Sequence, residues 1–567
     1  MSGAKRRRPP VRLWPEMLRE ALRRAATPLR VLWRRNWFYR RLLKGRMPDG
    51  VRFHPHDALP RRLDDADMML RGRYRFAGQT VDKSRGSIFD ARPPTRNWAD
   101  ALNGFEWLPP LAAAGGEPAR DLAAMLITDW MAHNPRYSEP AWLPHVVAAR
   151  LVHVFAHGRF VLANSDVLWR SRLLVFLREQ SRLLARVAGE APDGLPRFEA
   201  AAALALSGAC LDDSNRRLHS GLERLEEEVG RQILADGGHV SRSPEALATA
   251  YRHVVMVMDA LTATEIGAPQ WLRSAHDRMA PMLRFFRHGD GALALFNGGR
   301  ECDPRMIAGL LARDDVRGQP FAYAPYSGYQ RLAASRAVAI LDCGKPPEGA
   351  FAADAHAGCL SFEFSSGAQR IVTNCGSPAD AQSGWDSALR ATAAHSTLTL
   401  EDTSSAWVLP PGRARDLLGA RLIGGPQAIV TSRLETPQGW AVDASHDGYL
   451  REFGIVHERR VVLGSRGEML VGLDRLVPKG QGKAKRALSF ALRFHIHPDI
   501  RVSPSQGAGV LLKLANGDGW RFRCQGAPQI EESIYLGAEP VRRGEQLVVT
   551  GTVKDAPAEV GWVFEQM

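Results

Sequence analysis

Cysteine is scarce in this 567-residue chain, which contains six copies, and no two of them form a Cys-x-x-Cys pair. That spacing is the usual mark of zinc ribbons and dithiol redox sites, so we expect neither. Most of the cysteines lie in apolar runs such as Gly358-Cys359-Leu360, where a thiol acts as a small hydrophobic side chain. Free thiols are typical of a reducing compartment, and they are also compatible with the periplasm.

Long apolar runs and several common catalytic motifs are missing as well. No stretch of about 18 apolar residues occurs, and the N-terminal segment lacks the apolar core of roughly 7–15 residues that signal peptides contain. The phosphate-binding Gly-x-x-x-x-Gly-Lys loop, the Gly-x-Ser-x-Gly nucleophile elbow and the His-Glu-x-x-His zinc motif are not found. The sequence therefore does not predict a P-loop nucleotide hydrolase, an α/β-hydrolase or a zincin protease.

The positive charge of the chain is concentrated in one segment. The formal net charge is +14. Residues 1–44 contain fourteen Lys and Arg against Glu16 and Glu20, which gives this segment +12 and leaves +2 for all other residues. Because the body of the chain has almost no basic excess, we do not expect a nucleic-acid partner.

Two interpretations of this basic arm remain open. Apolar residues are interspersed among its arginines, so it could form an amphipathic helix that lies on an anionic membrane surface. Alternatively, it is a solvated leader that packs one or two aromatic residues against the body, and we favour this interpretation because charge runs are usually solvated. The apolar residues are Leu18, Leu22, Leu29, Leu32 and Trp33, and the aromatic candidates for packing are Trp33, Trp37 and Phe38.

The pattern of the sequence divides the chain into four parts. Residues 1–45 form the basic arm, and residues 46–95 form an irregular lead-in punctuated by proline and glycine. Residues 96–330 show long segments with apolar spacings of three and four, which predict consecutive helices in an all-α domain. Residues 331–567 contain short β-rich runs between turn residues, which predict a large antiparallel sandwich.

Several short motifs follow one another across the two predicted domains. They are Asn103-Gly-Phe105, Asp236-Gly-Gly-His239, Asp290 to Gly298, His356 to Phe362 and His395-Ser-Thr397. In this order they resemble the heparinase II/III family of polysaccharide lyases. The resemblance implies an incomplete (α/α) toroid followed by a large antiparallel β-sandwich, and it covers roughly residues 35–560.

The resemblance also implies a reaction. Family members cleave acidic, uronate-containing glycans by β-elimination, in which the uronate carboxylate is neutralised, a base removes the C5 proton, and an acid protonates the leaving oxygen. His395 matches the family histidine at the entrance of a strand and is the strongest catalytic candidate. The alternative role for His395 is to cap that strand by hydrogen bonding.

The helical half departs from the family pattern at two places. At Gly194 to Glu199 the glycine and glutamate remain, but the family's asparagine and histidine are absent. Arg197 is a candidate to grip the carboxylate in their place, and Glu199 is a second candidate contact with substrate. Arg197 is otherwise a surface arginine near the start of a helix.

The second departure follows Ser243-Pro244, where the family's tyrosine is absent. Tyr251 lies too far along a helix to be a direct replacement, although it stays a catalytic candidate. His239 and Arg242 precede this point on a loop, where functional residues often occur, so His239 is proposed as a base and Arg242 as a carboxylate ligand. Trp142 and Asn297 complete the predicted substrate contacts.

Cofactor, localisation and the alternative function follow from the same resemblance. No cofactor is required, but some relatives hold a zinc ion in the sandwich, for which His395, Asp402 and His446 are the candidates. The resemblance implies a cell-envelope or periplasmic location, and a cytoplasmic location is the alternative because no signal peptide is visible. The chain is therefore predicted to be a lyase, with a non-catalytic carbohydrate-binding protein of the same fold as the alternative.

Overall fold

The computed structural model describes residues 13–60, 62–163, 165–212, 215–314, 319–378, 384–479, 487–505, 509–538 and 540–567. Internal contacts divide the chain into two units. We refer to Trp14–Ile233 with Thr249–Asp277 as the helical unit, and to Leu234–Ala248 with Arg278–Met567 as the sandwich unit. Among the described residues, no helix is long and apolar enough to cross a membrane.

The helical unit is a succession of helices with short connections, as its apolar periodicity predicts. Its helices are α1 (Trp14–Arg35), α2 (Trp37–Leu43), α3 (Leu63–Leu70), α4 (Arg96–Asn103), α5 (Leu108–Ala114), α6 (Gly116–His133), α7 (Pro144–Leu162), α8 (Val167–Val187), α9 (Leu195–Cys210) and α10 (Asn215–Gln232). Two further helices, α11 (Pro244–Ala263) and α12 (Gln270–Phe285), contribute residues to both units.

Close packing of α9 against α10 explains two glycines. α9 is rich in alanine and leucine and is buried along almost its whole length. A β-carbon on Gly208 would lie 2.4 Å from the backbone of Leu218, and one on Gly221 would lie 2.5 Å from the backbone of Ala205. The two helices therefore approach each other at a distance that only glycine permits at these positions.

A buried arginine on α7 connects this helix to α4, α6 and α8. The guanidinium of Arg150 on α7 donates to the carbonyl of Asn103 at 2.6 Å and to the side chain of Gln180 on α8 at 2.5 Å. Its Cζ atom lies 4.0 Å from the ring centroid of Trp130 on α6. Arg150 is completely buried, so its hydrogen bonds and the aromatic face replace the water that it loses.

The lead-in segment 46–95 is more regular than its sequence suggests. It contains α3 and an antiparallel hairpin of β1 (Arg73–Phe76) and β2 (Gln79–Asp82). Tyr74 and Phe76 alternate inward along β1 and are buried, which stabilises this short hairpin against the helices. The proline and glycine content of the segment obscured this alternation.

The basic arm forms two helices, α1 and α2, over its described part. Residues 1–12 of the predicted arm lie outside the described residues. No residue of α1 is buried, whereas α2 buries Tyr39 and Leu43. Trp33, Trp37 and Phe38, the aromatic residues predicted to pack on the body, are each more than half exposed, whereas Tyr39 is buried.

The sandwich unit contains two antiparallel sheets. One has the strand order β11-β12-β13-β14-β21-β18-β17-β16, and the other has the order β19-β20-β15-β7-β6-β5-β4-β3 with β8 paired to β15. The strands are β3 (Tyr323–Ala324), β4 (Tyr329–Ala334), β5 (Ala337–Asp342), β6 (Phe362–Ser366), β7 (Gln369–Thr373), β8 (Leu398–Leu400), β11 (Ile429–Thr436), β12 (Gly439–His446), β13 (Ile455–Gly464), β14 (Met469–Pro478), β15 (Leu488–Ile496), β16 (Arg501–Ser505), β17 (Gly509–Lys513), β18 (Gly519–Cys524), β19 (Gln529–Tyr535), β20 (Arg542–Val553) and β21 (Ala558–Gln566).

The two sheets enclose one apolar core. Phe362 on β6 stacks on Trp562 on β21 with ring centroids 5.3 Å apart and an interplanar angle of 2°. The unit also contains smaller elements: α13 (Pro304–Leu311), α14 (Asp386–Leu389), α15 (Arg413–Leu418), α16 (Leu450–Phe453) and the pair β9 (Trp407–Val408) and β10 (Leu422–Ile423). The fold is thus a helical toroid-type half followed by an antiparallel β-sandwich, as predicted.

Candidate active site

His395 directly follows a single 3-10 turn, Thr392–Ala394, and lies three residues before the start of β8 at Leu398. Its side chain is buried, with 2% of the residue exposed. Its Nδ1 atom is 2.8 Å from the carbonyl oxygen of Ala391, and its Nε2 atom is 3.1 Å from Nδ1 of His356. Both ring nitrogens of His395 are therefore engaged inside the protein.

These contacts determine the protonation of the two rings. Because a carbonyl only accepts hydrogen bonds, Nδ1 of His395 carries a proton, and Nε2 of the neutral ring accepts from Nδ1 of His356. Burial lowers the pKa of His395 to about 4 and also lowers the pKa of His356 far below its ordinary value. The pair is neutral at pH 7, and its one acceptor nitrogen at His395 is already occupied.

A buried network connects this pair to the loop that contains Arg242. The backbone N–H of His356 donates to Oδ1 of Asn297 at 3.2 Å. The amide of Asn297 donates in turn to the hydroxyl of Tyr329 at 2.9 Å and to the carbonyl of Arg242 at 3.4 Å. Three of the predicted site residues, His395, Asn297 and Arg242, thus belong to one network within the sandwich unit.

The guanidinium of Arg242 is fully used by the protein itself. It forms a short ion pair with Asp342 and donates to the carbonyls of Ser327 at 2.7 Å and Lys345 at 3.1 Å. Its Cζ atom also lies 4.7 Å from the ring centroid of Tyr329. Burial opposes the charge of Arg242, but the carboxylate of Asp342 keeps the pKa of the guanidinium above its ordinary value. These contacts fasten the loop to the sandwich strands.

His239 and Tyr251, the other catalytic candidates, are buried too. Nδ1 of His239 accepts from the hydroxyl of Ser241 at 2.7 Å, and burial lowers the pKa of His239 to about 4. Tyr251 belongs to the helical unit, and its hydroxyl bonds to Nε2 of His276 at 2.9 Å. His239 and Tyr251 therefore have protein partners in separate units.

The remaining substrate candidates all lie in the helical unit, where each has a partner from the same unit. Arg197 donates to the carbonyl of Ala191 at 3.0 Å from near the start of α9, as expected for a local structural arginine. Glu199 pairs with His253 at 3.2 Å. Trp142 is 8% exposed and packs on Trp130 with ring centroids 5.8 Å apart.

The structure does not assemble the predicted zinc ligands. His395 bonds to His356, Asp402 is exposed after β8, and His446 bonds to His457 at 3.2 Å. Within the described residues, no group of three or more His, Cys, Asp and Glu side chains is arranged to hold a metal ion. The zinc ligands were predicted from residue type alone, since no local spacing of metal ligands supported them. In the structure the two histidines bond to other histidines instead.

A second buried network, which the sequence did not reveal, spans β12, β13 and β14. His446 is paired with His457 across the first two strands, and Arg459 is opposite Asp474 across the next two. His457 and Arg459 both donate to one oxygen of Asp474, at 2.7 and 2.8 Å. Because alternate residues of a strand share a face, the spacing of His457 and Arg459 was a signal of this arrangement.

The chemistry open to these residues is limited by their burial. A general base needs an accessible acceptor within hydrogen-bond reach of the proton that it removes. His395 has both nitrogens engaged, and the side chains of His239 and Arg242 are at least nine-tenths buried. The arrangement satisfies buried polar groups and fixes loops to strands, which is a stabilising role.

Comparisons with known proteins agree with this architecture. Residues 316–563 match the family model described as heparinase II/III-like, C-terminal. Over 528 residues the chain is 32% identical to FtsZ-localized protein C from Caulobacter vibrioides (strain NA1000 / CB15N), a match that covers 91% of this chain and 90% of the relative.

Solved structures show the same fold at low sequence identity. The crystal structure of heparinase III superposes with a TM-score of 0.69 at 16% identity and covers 89% of this chain and 84% of that chain. A mutant of heparan sulfate lyase HepC from Pedobacter heparinus superposes with a TM-score of 0.60 at 16% identity, covering 93% of this chain and 87% of that chain. Motif order, architecture and comparisons lead to one conclusion: the chain belongs to the heparinase II/III-like family.

Proposed function

We propose that this protein is a non-catalytic member of its family that binds an anionic membrane surface through α1 and α2 and localises there with the cell-division protein FtsZ. The observation that carries the proposal is the exposed apolar stripe of α1. Six apolar residues of this helix are between 53% and 72% exposed: Trp14, Leu18, Leu22, Leu29, Leu32 and Trp33.

The stripe is continuous and all six side chains are more than half exposed, although Trp33 also makes an edge contact with Tyr39 at a centroid distance of 6.3 Å. Counted at about 3.6 residues per turn, these six side chains fall within an arc of about 100°. The opposite face contains Arg30 and Arg34, which pair with Glu190 of the helical unit. A surface helix normally buries its apolar face, whereas α1 uses arginines for its contacts with the body and exposes its leucines and tryptophans.

Such a helix has the properties of an interfacial membrane anchor. The apolar face enters the boundary between headgroups and acyl chains, and arginines flanking it attract anionic lipid. The basic charge of residues 1–44 adds to this attraction because each cation near the surface contributes about 1 kcal/mol.

Two further points support the proposal. His395 and Arg242 are buried and have protein partners, which favours the non-catalytic alternative over elimination chemistry. The relative that shares 32% identity over most of both chains is named for its localisation with FtsZ. We therefore favour the cytoplasmic alternative for the location of this protein.

Vesicle sedimentation tests the proposal. The full-length protein should sediment with vesicles of equimolar phosphatidylcholine and phosphatidylglycerol, bind weakly to phosphatidylcholine alone, and dissociate at high salt. The double variant Leu22→Glu/Leu29→Glu should lose this binding. Leu168→Glu is the matched control, because Leu168 is 73% exposed on α8 and outside the stripe. Equal binding by the stripe variant and the control would contradict the proposal.

A second candidate function, β-elimination on a uronate glycan, is favoured by one observation. His395 and the loop of Arg242, which both resemble active-site segments of the family, are joined through His356 and Asn297. For this function the network would have to open and expose an imidazole to substrate. Release of unsaturated sugar ends is the property that separates it from the first candidate.

A further inference from the structure

A cavity of about 380 Å³ lies where the arm meets the rest of the helical unit. Its walls come from the end of α1, from α2, from the segment after α6 and from α8. The volume is within the range of about 300–1,000 Å³ that small-molecule sites occupy. All of the lining residues belong to one unit, so the cavity is a feature of the helical unit alone.

The charge of this cavity is strongly positive. Four arginines line it, Arg34, Arg35, Arg40 and Arg136, against the single carboxylate of Glu179. Arg34 is fixed in place by its ion pair with Glu190 and by a 3.3 Å hydrogen bond to the hydroxyl of Tyr137. Among the described residues, the side chains of Arg35, Arg40 and Arg136 have no hydrogen-bond or ion-pair partner, so their donors are available to an anion.

The aromatic wall of the cavity contains a second donor without a partner. Trp142 lines the cavity together with Trp37, Tyr39 and Tyr137, and 8% of Trp142 is exposed. Its indole Nε1 is buried and has no hydrogen-bond partner within the described part of the chain. A buried donor without a partner is destabilising, and an acceptor group of a ligand would satisfy it.

One wall of the cavity belongs to α2, which the proposed function assigns to the membrane together with α1. Trp37 contributes to its wall and is also 58% exposed, and Phe38 and Leu42 on the same short helix are exposed by 62% and 48%. A group that enters the cavity therefore lies next to apolar side chains suited to an acyl region.

We propose that this cavity, which we name the arm cavity, binds the phosphate-bearing headgroup of an anionic lipid. The arginines grip the phosphate oxygens, and the aromatic wall with the indole N–H of Trp142 accommodates the rest of the headgroup. The inference rests on the proposed membrane function and deepens it, because it turns a non-specific basic surface into a site with a defined ligand chemistry. A free organic phosphate has the same chemistry and is the other source of such a ligand.

The test uses substitutions that keep the positive charge of two cavity arginines and remove only the planar geometry of their guanidinium groups. Arg40→Lys/Arg136→Lys preserves both positive charges but loses the planar, bidentate guanidinium. Arg19→Lys is the control, since Arg19 is exposed on α1 and does not line the cavity. With vesicles of equimolar phosphatidylcholine and phosphatidylglycerol, the double variant of the full chain should bind about tenfold more weakly than the wild type, because it loses the bidentate charge-assisted hydrogen bonds to phosphate. The control should bind within about twofold of the wild type.

A soluble probe distinguishes the two sources of phosphate. Glycerol 1-phosphate should raise the melting temperature of the wild type and of Arg19→Lys, but not that of Arg40→Lys/Arg136→Lys. Stabilisation by this probe, together with vesicle binding that the double variant leaves unchanged, would overturn the lipid headgroup in favour of a free phosphate. Equal responses of all three proteins in both assays would overturn the site.

Failure of the site and failure of the proposed function give different results. If Leu22→Glu/Leu29→Glu loses vesicle binding and Arg40→Lys/Arg136→Lys has no effect, the lipid site in the arm cavity is contradicted and the membrane function is supported. Unchanged binding in Leu22→Glu/Leu29→Glu contradicts the membrane function itself.

Discussion

Arginine has opposite roles in two regions of this molecule. In the sandwich unit, Arg242 is buried against Asp342, and Arg459 is buried against Asp474. Both guanidinium groups also donate to backbone carbonyls of the protein. In the arm, Arg40 is exposed and its guanidinium has no partner among the described residues. The first arrangement fixes the fold, whereas the second leaves donors for a ligand outside the protein.

The same contrast holds for apolar side chains. Leu204 and Leu206 of α9 are completely buried, while the leucines of α1 are more than half exposed, although both helices are rich in good helix formers. The motifs that resemble catalytic ones thus lie among buried residues of the sandwich unit. The exposed arginines and leucines lie in the arm, which contains no catalytic motif. The proposed function accordingly uses the exposed surface of α1 and not the buried histidines of the sandwich unit.

The comparison predicts the largest effect for the buried ion pair. Arg242→Ala would leave the carboxylate of Asp342 buried without its cation and would remove the donors to Ser327 and Lys345. We expect a loss of about 3–5 kcal/mol in the free energy of unfolding, measured by urea denaturation. Arg460→Ala is the control, since Arg460 and Asp443 are about half exposed and their pair is worth about 0–1 kcal/mol. Similar losses for the two variants would contradict the assigned role of Arg242.

The buried histidines predict an intermediate effect that depends on pH. Burial lowers the pKa values of His395 and His239 to about 4, whereas an unfolded imidazole titrates near about 6.5. Above about pH 6.5 the imidazoles are neutral in both the folded and the unfolded chain, so they do not reduce the free energy of unfolding. As the pH falls from about 6.5 to 4, the unfolded chain takes up protons that the folded chain excludes, so stability falls by about 2 kcal/mol per histidine at pH 5.

This pH effect should arise from the buried histidines alone. His395→Asn should reduce the slope of stability against pH, and replacement of His219, whose side chain is 79% exposed, should leave the slope unchanged. α1 contains no histidine, so vesicle binding should change little between pH 7 and 5 while the protein stays folded. A free energy of unfolding that does not change over this range would show that these imidazoles are protonated in the folded state.

The smallest effect is expected for substitutions in the exposed stripe. Leu22→Glu/Leu29→Glu should change the free energy of unfolding by about 0.5 kcal/mol or less, because neither leucine packs on the protein. The same substitution at Leu204 of α9, which is completely buried, should prevent stable folding. Marked destabilisation by the stripe variant would show that α1 packs as part of a core.

The elements of the fold were predictable because they depend on local periodicity. Residues 96–330, which were predicted to be helical, contain α4 to α13, and residues 331–567, which were predicted to be β-rich, contain β5 to β21. β3 lies before the predicted boundary, because a strand of two residues is too short to show a periodic pattern.

The state of the candidate site was not predictable for a different reason. The partner of Arg242 is Asp342, 100 residues away in sequence, and the partner of His395 is His356, 39 residues away. Burial of a polar side chain depends on such distant partners, which local sequence patterns do not contain. The exposure of the stripe of α1 likewise depends on Glu190, which attracts the opposite face of the helix.

The central claim is that the histidines of this heparinase-type fold stabilise the protein and do not perform elimination. The most direct measurement is the ultraviolet absorbance of unsaturated ends after incubation of the purified protein with a set of uronate polymers. We predict no increase in absorbance above that of a His395→Ala control that remains folded. Product formed by the wild type and abolished in His395→Ala would contradict the account and assign the protein to the active lyases.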